Sequence, residues 1–495
     1  MQSEKLQQLR AYESEKRPEI KAELPVYHLT GGVGWINDPN GFSLYRGEYH
    51  LFFQYYPLDV HWGPMHWGHA KTKDFIRWEY LPAALAPDTE ADRDGCYSGT
   101  AMELPDGRQL LFYTGVRKET GTEGKLKETQ LQCVAIGDGR DYVKAAENPV
   151  IGETLLPAGG SSRDFRDPKI WLEDGVYHVL VANADDDGDG RLLHYTGRDP
   201  LHWEYCGVMA ENLGAYGTMW ECPDFFVMDG KKVLIHSAHE MLAEGLEFHP
   251  GDGTVCHIGE VDADSGRFLD DSVQAVDYGL DFYAPQTLET EDGRRILIAW
   301  MQSWESAVHP VRGLRFLGQM TLPRELRIRN GRLCQMPVRE LEKYRRNRVS
   351  YQDRAVSEMC SLPGICGRVL DMTLQIRLED GCGHFELTVA DNGKYRTRIS
   401  LLPGTGTIRL DRSCSGVRYD GVHVREFPVT VCGGEVRMRL LLDRYSLELF
   451  VNDGEQAASM TLYAPPEADG ITFSAEGGTA VLTLEKYDLV GDIYE

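Results

Sequence analysis

The chain has 495 residues, 42% hydrophobic and 26% charged, and a formal charge of −25 at pH 7. It is long enough to bury a large core and to hold more than one domain. The acidic balance excludes nucleic acid and anionic membrane surfaces as partners, because phosphate contacts need clustered Lys and Arg, and leaves open a small molecule in a local pocket.

From the N-terminus, residues 1–26 are charged and helix-prone up to about Pro25. They lack the apolar core of a secretory signal, and no later run approaches the roughly 18 apolar residues of a membrane span. The eleven cysteines form no CxxC pair and read as free thiols of a reducing compartment. A cytoplasmic location is the expectation.

Residues 27–336 repeat one pattern five times. A Gly-led turn runs into a short apolar strand at Gly47, Gly107, Gly175, Gly230 and Gly293. Eight or nine residues before each turn stands a polar motif: NDPNG at Asp38, YSGT at Ser98, RDP at Asp167, ECPD at Glu221 and YAPQ at Pro285. Repeats of about 60 residues built of short strands predict an all-β, five-bladed propeller, in which residues of equal phase surround one axis. Asp38, Asp167 and Glu221 are then expected to converge. KDFIRWEYL and RDPLHWEYC share Asp, three residues, then Trp-Glu-Tyr, and predict the same outer strand in blades 1 and 3. Residues 337–349 read as a linking helix. The alternating strands of 350–495 predict a β-sandwich without a cluster of catalytic residue types.

Converging carboxylates are the equipment for acid/base and nucleophilic work on a glycosidic bond. In GWINDPNGF the two turn dipeptides hold Asp38 in place or merely make a turn. Arg166 and Asp167 are adjacent, so both face one site only if the strand bulges. Glu221 follows Trp220, and burial against aromatics is expected to raise its carboxyl as a general acid requires. Neighbouring Cys222 reads as a small buried residue. Aromatics gather near the first motif, and Trp62 offers a ring face for a sugar. His66 and His69 are a weak zinc pattern. The run Asp185, Asp187, Asp189 resembles a calcium loop but lacks its terminal Glu, where Thr196 stands, and reads as an acidic turn.

Taken together, WINDPNG (35–41), Gln54, WGPMHWGHA (62–70), KDFIRW (73–78), YSGT (97–100), FRDPKI (165–170), WECPD (220–224), DFYAPQT (281–287), AWMQ (299–302) and MTLPREL (320–326) resemble glycoside hydrolase family 32, the invertases and fructan hydrolases. The motifs stand in family order, and the likeness covers about residues 27–490. It implies a five-bladed propeller followed by a β-sandwich, and retaining hydrolysis of a terminal β-D-fructofuranosyl unit by double displacement. By resemblance Asp38 is the nucleophile, Glu221 the acid/base and Asp167 the transition-state stabiliser. Asn37, Gln54, Trp62, Tyr97, Ser98, Arg166, Asp281 and Trp300 match positions lining the fructose subsite. No metal or organic cofactor is implied. Ile36, Tyr97 and Thr100 depart from the commonest family residues without removing a reacting group. Sucrose, sucrose 6-phosphate and short fructo-oligosaccharides or fructans all remain open as substrates. Fructosyl transfer to a sugar and a binding-only propeller stay as rival readings, and the sandwich is one candidate dimer surface.

Overall fold

The computed structural model describes residues 2–490 apart from 121–123, 125, 308, 310, 312 and 418. The five glycines that lead the repeats have φ of 75, 79, 79, 77 and 78°, a region that favours glycine. At Gly47, Gly175 and Gly230 the preceding residue (Arg46, Asp174, Asp229) also has positive φ. These are two-residue hairpin turns whose twist matches that of the strands. Each joins the first and second strands of a four-stranded antiparallel blade.

Blade 1 spans Gly34–Tyr45 to Glu79–Leu85, blade 2 Gly95–Glu103 to Tyr142–Lys144, and blade 3 Phe165–Glu173 to His202–Glu211. Blade 4 spans Trp220–Met228 to Phe268–Ala275, and blade 5 Tyr283–Glu289 to Arg332–Pro337. The first strand of blade 1 packs on the first strands of both blade 2 and blade 5, which closes the ring. Phe316–Leu317, from the blade 5 segment, adds to Gly34 and Trp35 in parallel and clasps the seam. The two Trp-Glu-Tyr elements are the fourth strands of blades 1 and 3. Each is entered through an aspartate whose side chain accepts from backbone N–H groups, Asp74 from Ile76 and Arg77, Asp199 from Leu201 and His202. The loop Asp185–Asp189 is a turn in which Asp185 accepts from the backbone of Asp187 and Asp189.

Every blade breaks register at the same place. The pairing of first and second strands shifts between Ile36 and Pro39, Tyr97 and Gly99, Glu221 and Asp224, and Tyr283 and Gln286. In blade 3 it shifts opposite Asp167 and Pro168. Asp167, Cys222 and Ala284 take positive φ there (63, 48 and 52°). A bulge unpairs backbone and re-aims side chains, so the repeated polar motif is the sequence trace of a repeated bulge at the axis.

The N-terminal helix Glu4–Ile20 lies against the outer strand of blade 1, with Glu13 accepting from the backbone of Ala83. At the other end, Arg339–Tyr344 is only a short 3-10 turn, and Arg345–Val356 is already an edge strand paired with Ala480–Leu489. This corrects the expected helix over 337–349. Its helical propensity is worth only tenths of a kcal/mol per residue, whereas the strand pairs its backbone along the sheet. The sandwich packs a six-stranded sheet on a five-stranded one, around Leu374, Leu387, Leu440, Leu449 and Phe473. Buried charges tie it to the propeller: Arg324 reaches Asp277 and Glu448, and His28 lies between Asp443 and Glu448.

Candidate active site

The bulges of blades 1 to 4 deliver side chains into one cavity of about 220 Å³ at the propeller axis. Asn37, Asp38, Gln54, Trp62, Tyr97, Ser98, Arg166, Asp167 and Glu221 all line it. Asp38 is buried. Its Oδ2 accepts from the Ser98 hydroxyl at 2.6 Å, and its Oδ1 makes no hydrogen bond of ordinary geometry among the described residues. Burial pushes its carboxyl up to about 6 against the Ser98 bond, with the nearby Glu221 charge adding to the rise. Asp167 accepts from the Cys222 backbone N–H at 2.9 Å, while its own N–H donates to Thr114. The Cys222 thiol lies 3.7 Å from Asp38 Oδ2 and 3.5 Å from Asp167 Oδ2. Burial and then Glu221 raise Asp167 to about 7.

Glu221 departs from expectation. Arg166 Nε donates to its Oε1 at 2.7 Å, and the Tyr283 hydroxyl to its Oε2 at 2.9 Å. His239 Nε2 lies 2.7 Å from the same Oε2. Burial alone would raise this carboxyl, but the charges and hydrogen bonds of His239 and Arg166 outweigh it and hold Glu221 well below the ordinary range. The aromatic neighbour Trp220 faces His236 at 3.8 Å between ring centroids, so it does not set the carboxyl's environment.

Trp62, partly exposed, meets Tyr97 edge-on at 5.9 Å and forms a ring face at the rim. Two residues of the expected set lie elsewhere. Asp281 is fully buried and accepts from the N–H and hydroxyl of Thr461 (2.7 and 2.8 Å) and from Arg412. It anchors the sandwich instead of lining the cavity. Trp300 is fully buried behind Trp35 and Trp304, with ring centroids at 6.1 and 5.2 Å, and supports the wall without reaching its surface. His66 and His69 are buried in one strand of blade 1, His69 bonded to His50 at 2.9 Å. Among the described residues no three His, Cys, Asp or Glu side chains gather in a metal-binding arrangement.

The glycosyl hydrolases family 32 N-terminal domain matches residues 28–337, and the family's C-terminal domain matches 340–489. The chain belongs to glycosyl hydrolase family 32. It is 35% identical over 465 residues to a raffinose invertase of Escherichia coli, covering 93% of each chain. It is also 35% identical to an E. coli sucrose-6-phosphate hydrolase, covering 92% of this chain and 93% of that one. A Bombyx mori GH32 beta-fructofuranosidase mutant in complex with sucrose superposes with a TM-score of 0.84 at 31% identity, covering all of both chains. A sucrose-6-phosphate hydrolase from Lactobacillus gasseri does so at 0.83 and 25% identity, covering 100% of this chain and 97% of that one. This family 32 member is therefore a glycoside hydrolase, with a five-bladed propeller followed by a β-sandwich.

Several residues of the site escaped sequence reasoning. Glu128, Gln130, Arg163, Asp164 and Trp304 line the cavity, and Tyr283 and His239 bond Glu221. Tyr283 and Trp304 sit within or just after recognised motifs and were within reach. Cys222 is the small buried residue expected, and it also holds Asp167 through its N–H. His239 had no signal, because it comes from a second strand where the repeat carries no polar motif.

Proposed function

We propose that this family 32 enzyme is a retaining β-fructofuranosidase that releases terminal fructose from sucrose and short fructo-oligosaccharides. The observation that carries it is the pairing of Asp38 and Glu221 in one small cavity, with Asp38 Oδ1 left without a hydrogen bond among the described residues and Glu221 held by three donors. A free buried carboxylate oxygen is placed to attack an anomeric carbon. A carboxyl held by donors is placed to exchange a proton with the departing oxygen. Asp38 attacks C2 while Glu221 protonates the leaving oxygen. Water then cleaves the fructosyl-enzyme with Glu221 as base. Asp167, fixed by Cys222 N–H, opposes positive charge growing on the ring. Asn37, Gln54, Tyr97, Ser98 and Arg166 bind hydroxyls, and Trp62 covers the apolar ring face.

At the rim, Lys118 pairs with Glu128 at 3.2 Å and Arg166 with Asp164 at 3.1 Å, which favours an uncharged sugar there. Arg163 also lines the cavity and supports the second reading, a sucrose-6-phosphate hydrolase. The eleven cysteines are all free, four of them exposed, which fits a reducing compartment and a cytoplasmic enzyme. Incubation with sucrose, sucrose 6-phosphate, 1-kestose and inulin, followed by product analysis, tests the reading. Fructose release with the highest kcat/KM on sucrose or 1-kestose supports it. A preference for sucrose 6-phosphate moves it to the second reading, and no release from any of the four overturns both.

A further inference from the structure

Arg166, Tyr283 and His239 surround the Glu221 carboxyl with donors, which favours its ionised form, yet the proposed reaction needs it to deliver a proton. The proton has a visible place nearby. Three adjacent strands of blade 4 supply a chain of groups: Glu221 on Trp220–Met228, His239 on Lys231–Met241 and Asp252 on Gly251–Val261. His239 Nε2 is 2.7 Å from Glu221 Oε2, and its Nδ1 is 2.9 Å from Asp252 Oδ1. A ring with a carboxylate on each nitrogen is a double donor, hence an imidazolium. His239 reaches this place because the strand pairing slips between Ala238 and Met241, opposite Gly251–Gly253.

We propose that His239, oriented by Asp252, is the proton reservoir of the acid/base, so that Glu221 and His239 share the one proton the leaving group receives. The inference rests on the function proposed above. When sugar fills the cavity and displaces water, charge separation between imidazolium and carboxylate becomes less favourable, and the proton passes from Nε2 to Oε2. The N–H bond breaks, the O–H bond forms, and the imidazole is left neutral. Glu221 then gives that proton to the glycosidic oxygen, which keeps the electron pair of the broken C2–O bond while Asp38 bonds to C2. In the second half, water gives a proton to Glu221 as its oxygen bonds to C2, and the proton returns to His239.

Other charged and titratable groups face this pair. Arg166, Asp167 and Asp38 lie on the cavity side of Glu221, and Tyr97 feels its charge across the site. Tyr283 of blade 5 touches both members. On the outer side Glu305 faces Asp252 and Arg425, whose charges act on the Glu305 carboxyl, and Glu240 accepts from the Thr218 hydroxyl nearby. Arg166 favours the ionised carboxyl but carries no mobile proton in the working range. His239 is the group that does. Burial would lower its imidazolium, but Glu221 and Asp252 outweigh burial and raise it to about 10, so the pair keeps its proton through neutral and mildly alkaline pH.

The test is the pH dependence of kcat/KM for wild type and His239→Gln, on sucrose and on a nitrophenyl fructoside that leaves without a proton. Gln can still donate a hydrogen bond to Glu221 but holds no proton. His239→Gln is expected to pull the alkaline limb on sucrose down by more than about one pH unit and to cost about 10²-fold at pH 8. The nitrophenyl fructoside should lose little. An alkaline limb that stays in place on sucrose, or equal losses on both substrates, overturns the relay. If His239→Gln fails to fold by its thermal melt, Asp252→Asn reads the same quantity: its limb should also move down, and an unmoved limb overturns the proposal. Wild-type protein that releases no fructose from either substrate would overturn the underlying function instead.

Discussion

Asp281→Ala separates two roles for one aspartate. The family motif DFYAPQT suggests that Asp281 binds sugar, whereas the structure buries it against Arg412 and Thr461 of the sandwich. Removing the carboxylate leaves the Arg412 guanidinium, itself 1% exposed, without its counter-charge. Breaking a buried ion pair from one side costs about 3–5 kcal/mol. At roughly 2–4 °C per kcal/mol for a domain of this size class, the first unfolding transition should fall by about 10 °C. Asp281→Asn keeps an oxygen for Thr461 and should fall about half as far. The assay is a thermal melt read by fluorescence, paired with kcat and KM on sucrose at 25 °C for the folded fraction. Stability should drop while KM stays within about threefold, since uniform binding is untouched. An unchanged melt with a large rise in KM would refute the reasoning and return Asp281 to the sugar.

Asp38→Ala should abolish turnover and leave the melt unchanged, and a tenth of wild-type activity would remove Asp38 from the nucleophile's role. Because the nucleophile works ionised and Asp38 is pushed up to about 6, kcat/KM should fall as pH drops through that value. Ser98→Ala deletes a bond that favours the carboxylate and should move this acid limb to higher pH, so an unmoved limb would count against the assignment. Glu221→Gln should cost about 10²–10⁴-fold on sucrose but far less on a fructoside with a good leaving group, and equal losses would refute the acid role. His28 is raised to about 9 by its bonds to Asp443 and Glu448, against burial. Its folded value exceeds its unfolded one, so its contribution, on the order of 3 kcal/mol, is fully present below about pH 6.5 and lost as pH rises through about 9. Melts of wild type and His28→Gln should therefore converge at alkaline pH. A constant gap would show that His28 acts through packing alone.

Much of the architecture is legible in the chain because it repeats. Gly47, Gly175 and Gly230 mark turns that need positive φ at both central residues, a requirement written locally. The motifs at Asp38, Ser98, Asp167 and Glu221 mark bulges, which also leave a local trace in turn-forming pairs such as Asp-Pro and Asn-Gly. Equal phase in a closed ring then implies that these residues meet. Residues 345–349 are strand and not helix because a helical propensity of tenths of a kcal/mol per residue yields to sheet pairing.

By itself, then, the sequence determined the five blades, the sandwich and the meeting of Asp38, Asp167 and Glu221 in one cavity, since period, turn chemistry and motif order are properties of neighbouring residues. The tertiary structure alone decided the electrostatics. The Glu221 carboxyl is held well below the ordinary range, against the expectation drawn from Trp220, by His239 on the next strand and Arg166 of blade 3, and Tyr283 of blade 5 also donates to it. Asp281 left the site because Arg412 and Thr461, far along the chain, reach it first. A carboxyl's proton affinity depends on charges within a few ångströms, and which residues come that close is settled only when the ring and the sandwich have closed on each other.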